Sequence, residues 1–218
     1  MTLDFHRSTE PRWPSIIAMV AIAGLYAALP STLLVGAPRW FMGLAVVGLL
    51  VPLEITHRRD NHILNQTLGY ILNGLVTATL MLALALLILE LMHHEVAPNE
   101  LLRSAAALWV ANFLVFASWY WRLDGGGPHQ RALSRGHSDG AFLFPQMTMH
   151  LEAKIAAGEV EWAPNFVDYL FLAFNTSTAF SPTDVPVLSR WAKILMMIQA
   201  TISLVVIALL AGRAVNIL

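Results

Sequence analysis

Apolar residues in this chain run in long blocks rather than in short alternations, and polar residues gather between the blocks. A helix that crosses a bilayer needs roughly 20 mostly apolar residues, because backbone polar groups find no water in hydrocarbon. Five blocks approach or reach that length. Ile16–Val35 is interrupted late by Pro30, and Trp40–Ile55 is short with Pro52 near its end. Leu68–Met92 is uncharged until Glu90, and Ala105–Trp121 and Ile194–Gly212 complete the set. Trp13, Trp40, Trp119, Trp121, Trp162 and Trp191 flank apolar runs, as aromatics at the level of lipid headgroups do, and only Trp109 sits inside one.

A sixth block, Phe166–Phe180 (FVDYLFLAFNTSTAF), differs from the others. As a helix its fifteen residues extend about 22 Å, short of a hydrocarbon core of about 30 Å. Its second half carries Asn175, Thr176, Ser177 and Thr178, and Ser181-Pro182 stops it. A short helix with a polar end, a turn and then a full span is the layout of a re-entrant loop. Such backbone is tolerated at membrane depth only where protein buries it or a wet cavity receives it. Ser and Thr in membrane helices also bond back to their own carbonyls, and a short hairpin packed on the bundle has the same pattern, so both readings stand at this point.

Composition agrees with a bilayer protein. Of 218 residues, 57% are hydrophobic and 12% charged, and the mean hydropathy is +0.62; soluble domains are nearer a quarter charged. A net charge of −1 gives no footprint for nucleic acid, and the absence of cysteine excludes disulfides and thiolate chemistry. With five spans and the N-terminus inside, Arg7, Arg12, Arg58, Arg59, Arg122, Arg131, Arg135, Lys154, Arg190 and Lys193 fall on the inner side. Only Arg39, Arg103 and Arg213 fall outside, a bias that predicts a cytoplasmic N-terminus. If Phe166–Phe180 instead crossed fully, the helices would number six and the count would be nine against four, with the C-terminus inside.

The organisation expected is therefore an all-α integral membrane protein of five transmembrane helices, with a short re-entrant pore-type helix before the last. Residues 1–14 form a retained cytoplasmic tail, 15–122 a four-helix transmembrane region, 123–165 a flexible cytoplasmic loop, and 166–218 the short helix, turn and last span. Within the loop, Asp124–Gly140 is rich in Gly, Ser and charge, FLFPQM is an apolar island, and MHLEAKIAAGEVEW suits a short interfacial helix.

DYLFLAFNTSTAFSPTDVPVLSRWAKIL resembles the pore helix, filter and inner-helix start of potassium-channel-type proteins. If Asp184 takes the acidic position that closes the filter, Thr176 and Thr178 fall on the family's threonines and Ala179 replaces another. Phe180 takes the valine position, and Ser181, Pro182 and Thr183 stand where Gly-Tyr-Gly belongs. Those glycines let the chain aim carbonyls at the ion; Ser and Thr resist such conformations and Pro fixes its φ, so a potassium-selective cage is not implied. The chain is also similar to an uncharacterised family of bacterial multi-spanning inner-membrane proteins. The shared residues are Tyr169–Phe174, Phe180–Val185, Ser189–Lys193 and Asn216-Ile217.

The resemblance implies a multi-pass inner-membrane protein, a homo-oligomer with a tetramer expected, and weakly selective passage of small cations. Potassium channels open this loop outward, whereas the charge bias places it inside, so entry from the cytoplasm is the reading adopted. The pore-side set is then Asn175, Thr176, Thr178, Phe180, Ser181, Thr183 and Asp184, with Met196, Gln199 and Ser203 along one face of the last helix. In a plain bundle Gln199 and Ser203 bond to a neighbouring helix instead, with Asn112 and Asn73 as equal candidates. Asp184 either attracts cations at an entrance or caps the turn at Pro186–Leu188, and Asp168 suits the positive end of its helix.

A non-conducting scaffold with a degenerate pore loop is the rival class. A metal-dependent membrane enzyme is the weaker third, drawing on Glu90, His93 and His94. Adjacent histidines diverge on a helix, and His57 and His62 fall on the opposite side. No hydrolase or phosphate-loop pattern is present, so no catalytic residue and no cofactor is implied.

Overall fold

A computed structural model describes residues 10–34, 38–93, 97–133, 140–160, 162–178 and 185–217. Among these the architecture is all-helical. α1 spans Trp13–Ala27, α2 Trp40–Arg58, α3 His62–His93 and α4 Pro98–Leu123; α5, α6 and α7 are the short helices Pro128–Leu133, Pro145–Thr148 and Leu151–Ala157. α8 spans Phe166–Thr178 and α9 Arg190–Ile217. Four stretches are long and apolar enough to cross a membrane: Trp40–Arg58, His62–Glu90, Asn99–Gly126 and Arg190–Gly212.

The first expected span is shorter than its apolar block. α1 starts with Pro14 in its first turn and ends at Ala27, and Ser31–Leu34 is a separate 3-10 turn after Pro30. Proline lacks the N–H that would continue the helix and biases the preceding residue away from it. α3 is longer than its block, because His62–Thr67, with polar His62, Asn65, Gln66 and Thr67, extend the helix. There Asn65 donates to the Leu53 carbonyl of α2 at 2.6 Å and to Thr56 Oγ1 at 3.2 Å, fastening the α2–α3 turn.

α4 is the central helix. It packs against α1 and α3 on one side and α8 and α9 on the other, and Val115, Phe116, Ala117, Ser118, Tyr120 and Trp121 are all buried. The outer helices keep apolar faces uncovered: Phe41, Leu44, Val47, Val51 and Ile55 on α2, and Ile194, Met197, Ile198 and Leu204 on α9. Stripes of this size are unsuited to water and suit lipid or a further protein surface.

Where composition predicts a flexible loop at Asp124–Gly140, the first ten residues, Asp124–Leu133, are a 3-10 turn followed by α5. The glycines have a specific task there. Gly125, Gly126 and Gly127 all have positive φ, and a Cβ on Gly127 would lie 2.9 Å from the Arg122 carbonyl oxygen. Only glycine adopts three such conformations in succession without strain. The apolar island also folds inward. Phe142 and Phe144 are buried, and Phe142 pairs with Val187 through Leu143 N–H to Pro186 O at 2.9 Å and Leu188 N–H to Ala141 O at 2.7 Å.

Candidate functional site

α8 is the element that the sequence marks out, and its start is built from local chemistry. The Asn165 side chain accepts from Val167 N–H at 2.8 Å, and Asp168 Oδ2 accepts from Asn165 N–H at 2.8 Å. This reciprocal cap satisfies donors that a helix start leaves free, so Asp168 does the structural work expected of it. Phe166, Tyr169, Leu172, Ala173 and Ser177 form the buried face, and Val167, Phe171 and Phe174 form an uncovered apolar one.

Contacts along α4 give the depth of each end of α8. Phe166 packs edge-on against Trp121, with ring centroids 5.8 Å apart. One helix length later, Trp109 Nε1 donates to the Ser177 carbonyl at 3.4 Å, and Trp109 also meets Phe174. α8 thus starts beside the C-terminal end of α4 and reaches the middle of it, about 20 Å away. By Val187 the chain again pairs with Phe142, whose ring lies 5.2 Å from Tyr120 and 6.1 Å from Trp191. Both limbs therefore begin at the same end of the bundle.

A polar core holds the inner end of α8. Gln199, on α9, is fully buried; its Nε2 donates to the Ala173 carbonyl at 2.6 Å and to Ser177 Oγ at 2.7 Å, and its Oε1 accepts from Tyr120 OH at 2.5 Å. Asn112 donates to Ser203 Oγ at 2.9 Å and to the Gln199 carbonyl at 3.2 Å. Asn73 belongs to a different contact, accepting from Ser118 at 2.8 Å. Gln199 and Ser203 therefore occupy the seam between α4, α8 and α9, which corrects the expectation that their face lines a wet path. Amide groups in an apolar interior seek partners, and here α4 and α8 supply them. Met196 is half-buried beside them.

The hydroxyls of α8 divide in the same way. Thr176 donates to the Leu172 carbonyl at 2.8 Å and Thr178 to the Phe174 carbonyl at 3.1 Å, both within their own helix. Asn175 is half-buried. Phe180, Ser181, Thr183 and Asp184 lie outside the described residues, as does His94; Glu90 is half-buried on α3, and among the described residues no three metal-ligating side chains come together.

The outer end of α8 rests on a second buried cluster that the pattern along the chain does not display. Asp124 is fully buried, accepting from Tyr169 OH at 2.6 Å and from Ala141 N–H at 2.5 Å. Arg131 lies over the Tyr169 ring at 5.1 Å, donates to the Trp121 and Asp124 carbonyls at 2.7 Å each, and pairs with Glu10 at 3.1 Å. Trp121 Nε1 also donates to Glu10. Burial pushes the Glu10 carboxyl above its ordinary value, with Arg131 opposing the shift. The only advance signal was Asp124 itself, a carboxylate directly after an apolar run, where such groups are costly unless paired.

Chemically, the two clusters bear no nucleophile–base pair and act as fasteners, one at each end of a short helix. No family model, curated protein or solved structure matches this chain.

Proposed function

We propose that the chain is one subunit of an oligomeric pore-loop membrane protein that passes small cations with weak selectivity. The observation that carries this reading is the course of α8: beside Trp121 at its start, beside Trp109 at its end, with the chain back against Phe142 at Val187. In a bilayer crossed by α4, that course is a loop that dips to mid-depth and returns to the side it came from. The α4, α8 and α9 helices then take the parts of outer helix, pore helix and inner helix.

α1 joins the four long helices as a fifth, tilted or shallow crossing, which puts the N-terminus and the α8 loop on one side. Arg12, Arg58, Arg59, Arg122 and Arg131 belong to segments that meet at this end, and the excess of basic residues argues that it is cytoplasmic. A bacterial inner membrane is the location the resemblance implies.

A single chain encloses no path, so conduction calls for several copies, with a tetramer as the natural number for this module. The uncovered Val167, Phe171 and Phe174 of α8 offer a surface for a neighbouring copy, and irregular backbone at membrane depth needs such shelter. Since Gln199 and Ser203 are spent inside the subunit, the path side of α9 is assigned to its free face, Met197, Thr201 and Leu204. A non-conducting scaffold is the second reading, favoured by the fact that the α8 threonines and Gln199 spend their polar atoms on protein partners.

Cation flux into liposomes separates the two. The pore reading expects flux that falls with Asp184→Asn and with a bulky residue at Thr201. Absence of flux at every voltage and pH favours the scaffold.

A further inference from the structure

Beside the α2–α3 turn and the C-terminal end of α4, a cavity of about 100 Å³ is lined by Arg12, His62, Asn65, Arg122, Gly127 and His129, among others. Arg12 and Arg122 also line a smaller compartment of about 40 Å³ next to it. The geometry points to a binding site for a phosphate group, held between the Arg122 and Arg12 guanidiniums and closed by the stacked His62–His129 pair.

Arg122 is the centre of the case. Its guanidinium lies against α3 at Gly69, in space that a side chain at residue 69 would contest. Its Nε is sealed from solvent without a hydrogen-bond partner. The ionisable groups that act on it are Arg12 and Tyr70, neither of them a carboxylate. It also lies over the Trp121 ring, 5.4 Å from the centroid.

The carboxylates nearby are already engaged. Glu54, in the smaller compartment, pairs with Arg58 at 2.7 Å, and Glu10 pairs with Arg131 at 3.1 Å. Arg12 donates to Asn65 Oδ1 at 3.3 Å and feels the Glu10 and Glu54 carboxylates without forming an ion pair with either. The Arg122 guanidinium, half-buried at this hollow with no carboxylate acting on it, is an expensive arrangement, which an anion relieves. Guanidinium forks match phosphate oxygens in geometry, and the desolvated setting strengthens each bond. The stacked imidazoles, with ring centroids 3.3 Å apart, form one wall.

The shared chemistry is a phosphate monoester or inorganic phosphate. The hollow sits between the α2–α3 turn and the reversal after α4, at the ends of long apolar helices and at the level of Trp121, where lipid headgroups reside. A headgroup and a dissolved phosphate are thus both able to reach it.

Thermal unfolding and calorimetric titration of purified full-length protein test this with sodium phosphate alone, and separately with detergent micelles holding phosphatidic acid or a zwitterionic phospholipid. Wild type is expected to bind phosphate or phosphatidic acid, with Arg122→Gln weaker by at least about tenfold. Gly69→Ala displaces the guanidinium and weakens binding without removing a charge, and Arg12→Gln provides a third variant should Arg122→Gln not fold. Arg39→Gln, on an exposed residue outside the cavity, binds as wild type. Binding of phosphate alone identifies a dissolved ligand, and binding of phosphatidic acid alone identifies a headgroup. If neither binds, or if the Arg122 and Gly69 variants bind as wild type does, the site is overturned.

Discussion

Replacing Gln199 with leucine is the sharpest perturbation of the α4–α8–α9 seam. The shape is nearly kept, so the loss is almost wholly of hydrogen bonds: two donated, to the Ala173 carbonyl and Ser177 Oγ, and one accepted, from Tyr120 OH. Side-chain hydrogen bonds between helices in a bilayer contribute about 0.6 kcal/mol on average and at most about 1.7. Three of them give roughly 2–5 kcal/mol, with the upper part of the range expected because Tyr120 and Ser177 stay buried without a partner. Reversible unfolding in bicelles or mixed micelles measures the loss directly. A cycle with Tyr120→Phe adds the coupling: removing both partners should cost less than the sum of the single changes, because the second removal leaves no further orphan. A loss under about 0.5 kcal/mol for Gln199→Leu, or strict additivity with Tyr120→Phe, would refute the claim that this amide pins the inner end of α8.

Three further expectations follow from the outer end of the same helix and from the cavity. Asp124→Ala strands the Tyr169 hydroxyl and the Ala141 N–H, each worth about 1–3 kcal/mol, and the unfolding free energy in micelles should drop by roughly 2–6 kcal/mol. Asn165→Ala removes the cap of α8 and should cost about 1 kcal/mol, readable by the same unfolding assay and by faster amide exchange in the first turn of that helix. His129 is lowered from its ordinary value first by burial and then by His62 and Arg12, so the unfolded chain takes up the proton earlier. Stability is therefore full above about pH 6.5 and declines as pH falls toward the depressed value, and His129→Gln should flatten that slope in a pH series of unfolding measurements.

Much of the fold could be read from the chain because its period-free apolar blocks are long. The block Leu68–Met92 falls within α3, Ala105–Trp121 within α4 and Ile194–Gly212 within α9. The expected short helix at Phe166–Phe180 is seen as α8 to Thr178, and spacing put Gln199 and Ser203 on one face with Asn112 and Asn73 as equal candidates, of which Asn112 is the partner. What spacing did not decide is which way that face turns; it turns into the subunit because α4 and α8 bring carbonyl, hydroxyl and amide partners that lie 22 to 91 positions away. The Glu10–Arg131 pair and the Asp124–Tyr169 bond join single polar residues 121 and 45 positions apart, and no local pattern announces such a pairing. Asp124–Gly140 read as a loop from its Gly, Ser and charge content, whereas three positive φ values in a row make its start a sharp reversal that delivers Arg131 under α8. Arg122 read as an end-of-span charge, and its placement against Gly69 depends on helix packing alone.

The course of α8 is tested most directly by labelling from each side of a sealed vesicle. The chain has no cysteine, so single cysteines can be introduced without background at Ala163 before α8, Leu188 after it, Ala132 on α5 and Asn99 at the far end of α4, all exposed positions. With a membrane-impermeant maleimide, Ala163, Leu188 and Ala132 should react from one side and Asn99 from the other. Reaction of Leu188 from the side of Asn99 would mean that the segment crosses, and the pore-loop account would be contradicted.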